Sequence, residues 1–105
     1  MLKNIIIAVT APDKKVAKLI GESLLNARLI ACWQDLGKIK SSYFWKNKKT
    51  LANENLILLI TVKKNFKKIE KEIKRLHPYK VPQIVSFDIA QTTNDYAGWI
   101  KENSK

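Results

Sequence analysis

Lys38-Ile39-Lys40-Ser41-Ser42-Tyr43-Phe44-Trp45, then Lys46-Asn47-Lys48-Lys49, and after a few residues Leu56-Ile57-Leu58-Leu59-Ile60, is the stretch that decides the fold. Its first part has a period of two. Ile39, Ser41, Tyr43 and Trp45 share one face, and Lys38, Lys40, Ser42 and Phe44 the other, as in a β-strand. Lys46-Asn47-Lys48-Lys49 reads as the turn. The return strand is apolar on both faces, so it belongs in the middle of a sheet or under cover on both sides. Gly37 marks a bend or bulge. With the extended segment starting near Ile30, each arm runs about fifteen residues, against roughly five or six for an ordinary strand. Two short helices cannot cover such a hairpin. Its projecting part carries Trp33, Tyr43, Phe44 and Trp45, and exposed aromatics on a two-stranded arm mark a subunit interface. An oligomer is expected.

Outward from the hairpin the elements alternate. Ile5-Ile6-Ile7-Ala8-Val9 lies in a first strand over residues 3–10. Thr10-Ala11-Pro12-Asp13 carries helix-start signals: Thr10 as cap, Pro12 in the first turn, Asp13 as the acid of a capping box. The helix that follows runs to about Leu29, with Val16, Ile20, Leu24 and Ala27 on its inner face. Gly21 in its interior points to close packing against a strand. A second helix places Phe66, Ile69, Ile73 and Leu76 on one stripe, with Asn65 as its cap and a Glu70–Lys74 pair on its surface. Residues 83–90 form a last strand, and 94–102 a short terminal helix with Tyr96, Trp99 and Ile100 inward. The order βαββαβ plus a helix is the α+β, ferredoxin-like arrangement, an antiparallel sheet with both main helices on one face.

Composition sets the bounds. A chain of 105 residues, 46% hydrophobic, makes one domain with one core. No segment approaches the roughly 18 apolar residues of a membrane span, and the N-terminus reads as a strand and not as a signal peptide. A single cysteine, Cys32, excludes an intramolecular disulfide and a multi-thiolate metal site. An intracellular protein without a membrane partner fits best. The net charge of +11 invites nucleic acid. Arg28 and Arg75 are the only arginines, however, so the residue suited to bidentate phosphate and guanine contacts is nearly absent. The βαββαβ order is shared with RNA-recognition modules, but no strand offers their paired base-stacking aromatics. No specific nucleic acid is expected.

His77-Pro78-Tyr79-Lys80-Val81-Pro82-Gln83 holds the sole histidine and two of the three prolines. Pro78 bars another helical turn and Pro82 extends Val81. His77 is thus fixed at a helix end, either as a metal ligand or as a simple cap. A lone histidine builds no Ser-His-Asp set, and Gly21, Gly37 and Gly98 are too far apart for a phosphate loop. Nothing points to an enzyme. Cys32 reads as a small buried hydrophobe beside Trp33.

The chain resembles the CutA-type divalent-cation tolerance proteins over almost its whole length. The resemblance rests on Thr10-Ala11-Pro12-Asp13, Arg28-Leu29-Ile30-Ala31-Cys32, Ser42-Tyr43-Phe44-Trp45, His77-Pro78-Tyr79-Lys80-Val81-Pro82, and Asn94-Asp95-Tyr96 with Trp99, in that order. It implies a cytoplasmic homotrimer whose long hairpins pair between subunits, with Tyr43 and Trp45 at the trimer interface. It also implies a connection with divalent metals, copper above all, no required cofactor, and no established reaction. His77 would carry the metal-ligand role, and Tyr79, Tyr96, Trp99 and Cys32 would lie around an intersubunit cleft. The chain departs from the family pattern where Lys46 and Gln83 replace acids, Ile60 replaces a lysine and Val9 a cysteine. One histidine without carboxylate support holds a cation weakly. Two readings stay open: a metal-associated trimer using His77, and a structural or interaction trimer that offers its cleft to another partner, metal binding lost.

Overall fold

The computed structural model describes residues 3–105. The elements are β1 (Asn4–Ala11), α1 (Lys14–Asn26), β2 (Cys32–Trp45), β3 (Lys48–Val62), a 3-10 turn (Lys63–Asn65), α2 (Phe66–Leu76), β4 (Ile84–Asp88) and α3 (Asn94–Asn103). They form one four-stranded sheet in the order β2-β3-β1-β4 with antiparallel neighbours throughout. This is the ferredoxin-like arrangement. β3 lies between β1 and β2, which makes the double-sided apolar run Leu56–Ile60 a central strand, as its pattern demands.

Successive strand residues alternate between two faces. Ile5, Ile7 and Val9 of β1, with Ile57 and Leu59 of β3, point toward α1 and α2 and form the main core with Ala17, Ile20, Leu24, Ile69 and Ile73. Gly21 is where α1 meets the sheet most closely. A Cβ there would overlap the indole of Trp33, whose Nε1 donates to Glu22 Oε2 at 2.8 Å. On the other face a smaller cluster of Ala31, Ile60, Val62 and Ile100 packs with Ile6, Cys32 and Ile89. α3 therefore covers one corner of the face that the sequence left bare of helices.

Several local expectations are corrected. Thr10 stays in β1, and Asp13 caps α1, its Oδ1 accepting from Val16 N–H at 2.9 Å. α1 ends at Asn26, where Arg28 turns to φ 62° and the Arg28 and Leu29 N–H groups bond back to the Leu25 and Leu24 carbonyls, a Schellman closure. Ala27 is consequently exposed. Asn65 does not cap α2 with its side chain. It is buried, and its Nδ2 donates to the Leu29 carbonyl, which also accepts from Thr61 Oγ1. The hairpin turn is Lys46-Asn47 alone, both at positive φ (51° and 63°), as a tight primed turn requires. The bulge falls where Gly37 signalled it, between Asp35 and Gly37. β4 is shorter than residues 83–90, ending at Asp88.

Candidate functional site

Pro78 ends α2 and turns the chain back toward β1, so that His77 is inserted beside the C-terminal end of that strand. The ring is buried, 7% exposed. Its Nε2 lies 2.7 Å from the Thr10 carbonyl oxygen, and its Nδ1 lies 3.1 Å from the Tyr79 amide nitrogen. A carbonyl can only accept and an amide N–H can only donate. The imidazole is therefore the neutral tautomer with hydrogen on Nε2 and the lone pair of Nδ1 taken by Tyr79 N–H. His77 does more than cap a helix: it fastens the loop after α2 to the end of β1. It also carries the Tyr79 ring, whose centroid is 4.8 Å from its own.

Tyr79 is thereby set into a groove of about 640 Å³ between this loop and the projecting arm of the hairpin. Thr10, Ser41, Tyr43, Trp45, Thr50 and Glu54 line it from the strands, and Lys80, Val81 and Gln83 from the loop. The register explains the set. Ile39, Ser41, Tyr43 and Trp45 pair with Glu54, Ala52, Thr50 and Lys48 on the sheet face opposite α1 and α2. Glu54 is the residue that sequence reasoning missed. It sits in a polar run, Asn53-Glu54-Asn55, whose alternation gives no sign that the acid is only 6% exposed. The one available signal was its position opposite Ile39, on the face of Tyr43 and Trp45. Burial pushes the Tyr79 phenol up from its ordinary range, and the neighbouring Glu54 carboxylate and Tyr43 add to the shift. Glu54 is the one acid among the groove's lining residues and Lys80 the one base.

The four expected cleft residues fall into two patches within one protomer. Tyr79 belongs to the groove. Cys32, Tyr96 and Trp99 gather instead near Ile6 and Ile60, about 13 Å along β1 from Thr10 at the usual strand rise. Tyr96 and Trp99 stack with centroids 5.6 Å apart, and both are partly exposed where the sequence expected them inward; Ile100 alone of the three is fully buried. Burial holds the Cys32 thiol above its usual range against the opposing effect of Tyr96, and the same burial, with Cys32 beside it, raises Tyr96. Cys32 thus remains a neutral thiol. Tyr43 and Trp45 stand at the hairpin tip, 39% and 47% exposed.

Among the described residues no three His, Cys, Asp or Glu side chains stand together as a ligand set, and both nitrogens of His77 are already engaged. Also among the described residues, no helix is long and apolar enough to cross a membrane.

A ferredoxin-like domain with an overlong hairpin, an open apolar sheet face and a groove along the hairpin arm defines a class of small α+β proteins. The chain belongs to the CutA1 divalent ion tolerance protein family, whose pattern matches residues 5–103. The divalent-cation tolerance protein CutA of Thermus thermophilus is 34% identical over 99 residues, covering 94% of this chain and 96% of that protein. A solved structure of the Thermus thermophilus divalent cation tolerance protein superimposes with a TM-score of 0.94 at 33% identity, covering 97% of this chain and 99% of that one. The Archaeoglobus fulgidus CutA structure, described as a periplasmic divalent cation tolerance protein, gives 0.94 at 29% identity, with 97% and 99% coverage.

Proposed function

We propose that the chain acts in divalent-cation tolerance as a homotrimer, without a catalytic reaction, in the cytoplasm. The observation that carries the assembly is the open sheet face. Val85 and Phe87 of β4, Leu36 beside the bulge and the hairpin aromatics are all exposed, a surface that in water favours a partner of its own kind. In the trimer the hairpins pair between subunits, with Tyr43 and Trp45 at the interface, and the two aromatic patches of different protomers border a shared cleft.

In this reading Cu(II) is met through His77 Nδ1, after the Tyr79 N–H has released it, with the remaining donors coming from outside the protomer. Affinity is modest, because Gln83 and Lys46 supply no carboxylate and nearby lysines repel the ion. Calorimetric titration of the wild type and His77→Ala with Cu(II) tests it. Weak binding that is lost in the variant is the expected result. Equal affinity in both proteins removes the metal role from His77. The engaged state of both ring nitrogens favours a second reading, an interaction trimer in which His77 is purely structural and metal binding has been lost. The +11 charge serves no specific nucleic acid in either reading, so binding to RNA or DNA falls away steeply with added salt.

A further inference from the structure

At the end of the sheet away from the hairpin tip, α3 and the ends of β1, β3 and β4 border a second groove, of about 980 Å³. We propose that it binds a small organic phosphate, with lysine ammonium groups and the Ser104 hydroxyl on the phosphate and the flank of α3 along the organic part. Lys3, Lys63, Lys64 and Lys101 line it from three separate segments of the chain, and Asp88 is its one acid. Lys63 is paired with Asp88 at 3.6 Å. Lys3, Lys64 and Lys101 have no ion-pair partner among the described residues. Three positive charges thus border one concavity without a counter-charge, and an anion that comes to them relieves their repulsion. An ammonium is a compact point charge with three donors, which suits a phosphate.

Two further observations point to the same groove. Ser104 is 3% exposed, and its Oγ is the one buried side-chain polar atom among the described residues without a hydrogen-bond partner. A buried hydroxyl left unpaired costs stability, and this residue stands in the groove wall, where a phosphate oxygen can accept from it. Gly98 is the second. It lies inside α3, where glycine is less stable than alanine, yet a Cβ there would meet no atom within 4 Å beyond its neighbours and its own helix. Packing within the chain does not ask for a glycine at 98, in contrast to Gly21 under Trp33. Its effect is to keep the groove wall flat, since a side chain there would project into open space. Val62 and Ala97 continue the wall as apolar surface. The volume exceeds what a bare phosphate fills and is that of a small-molecule site, so the ligand carries an organic body. Assembly through Val85, Phe87, Leu36 and the hairpin aromatics uses none of the residues that line this groove.

1-Naphthyl phosphate, 1-naphthol and inorganic phosphate are titrated into the wild-type protein by calorimetry at physiological salt, where exposed charges are screened. 1-Naphthyl phosphate is also titrated into Lys101→Gln, Gly98→Leu and Lys71→Gln; Lys71 lies on α2, outside the groove. In the wild type 1-naphthyl phosphate is expected to bind about tenfold or more tightly than either fragment. Lys101→Gln should weaken it about tenfold, Gly98→Leu should abolish it by filling the groove at unchanged charge, and Lys71→Gln should bind as the wild type does. No binding of 1-naphthyl phosphate, binding no tighter than that of a fragment, or undiminished binding by Lys101→Gln or Gly98→Leu overturns the proposal. So does an equal loss in Lys71→Gln, which would trace the binding to the general positive charge of the chain. Should Gly98→Leu fail to fold, Lys101→Gln, Lys71→Gln and the three probes decide alone. A negative result here leaves the copper titration of His77→Ala untouched, so the two ideas fail separately.

Discussion

On one side of the sheet Ile5, Ile7, Val9, Ile57 and Leu59 are at most 1% exposed beneath α1 and α2; on the other, Val85 and Phe87 are 42% and 57% exposed, and Leu56 and Leu58 are only partly covered. The strands are as apolar on the open side as on the closed one. α3 shields only the corner around Ile60, Val62 and Ile100. Two faces of the same strands thus make the same chemical demand, and the single chain meets only half of it. The first face should contribute stability that is intrinsic to the chain, and the second stability that exists only in the assembly.

The largest effect that separates the faces is a pair of truncations. Leu59→Ala, on the closed face, should destabilise by about 2–5 kcal/mol, the usual cost of a buried leucine cavity, whatever the protein concentration. Phe87→Ala, on the open face, should lower the unfolding midpoint in a way that depends on protein concentration, because its loss acts through assembly. Denaturant titrations at two concentrations check both. Concentration-independent loss in Phe87→Ala would erase the distinction.

His77→Ala comes next. It removes the partner of the Thr10 carbonyl and of the Tyr79 amide, a cost of about 1–3 kcal/mol for buried groups left unsatisfied. Amide exchange at Tyr79 should quicken, and the groove side of the open face should loosen while the core under α1 stays protected. Unchanged exchange at Tyr79 would mean that the ring does not hold the loop.

A smaller effect sits on the closed side, between its two helices. Ser23 Oγ on α1 donates to Glu72 on α2 at 2.6 Å, and Arg75 bonds both carboxylate oxygens at 2.8 Å. Arg75 first, then Ser23, pull the Glu72 carboxyl down to about 2 from its usual 4.5. A depressed carboxyl gives its full stabilisation above the unfolded value and loses it as the folded one is approached. Acid titration should therefore show stability draining away from about pH 4.5 down to about pH 2. Glu72→Gln should remove that part of the slope, and an unaltered acid profile would show that the bridge contributes nothing.

The smallest effect is at the hairpin tip, away from both faces. Lys46 holds a left-handed φ of 51°, which an ordinary side chain adopts only at a cost. Lys46→Asn should raise thermal stability by an amount equivalent to about 0.5–1 kcal/mol, since asparagine tolerates that conformation in primed turns. Thermal melts of the two proteins measure it.

Much of the fold was legible because period and punctuation are local signals. The two-residue alternation of 38–45, the double-sided apolar run 56–60 and the Phe66–Ile69–Ile73–Leu76 stripe each declare an element without help from the rest of the chain. The caps were less legible. Thr10 and Asn65 are good cap residues by type, but β1 runs on to Ala11 and the Leu29 carbonyl claims the Asn65 amide; both are decided by partners distant in sequence. The site was legible only by halves. His77 and Tyr79 announced themselves through the two prolines, but nothing in the sequence says that the imidazole is spent on Thr10 and Tyr79. Glu54 was hidden by its polar neighbours, since the burial of a charge depends on what the opposite strand and the loop place over it. The separation of Tyr79 from Cys32, Tyr96 and Trp99 is likewise a matter of register along β1.

Sedimentation velocity of the wild type and Phe87→Glu, at micromolar concentration and physiological salt, bears most directly on the unequal faces. The account predicts one wild-type species with three times the chain mass, and a folded Phe87→Glu protein shifted to the monomer, because a carboxylate on the open face cannot be buried against a neighbour. A wild type that sediments as a well-folded monomer would contradict it.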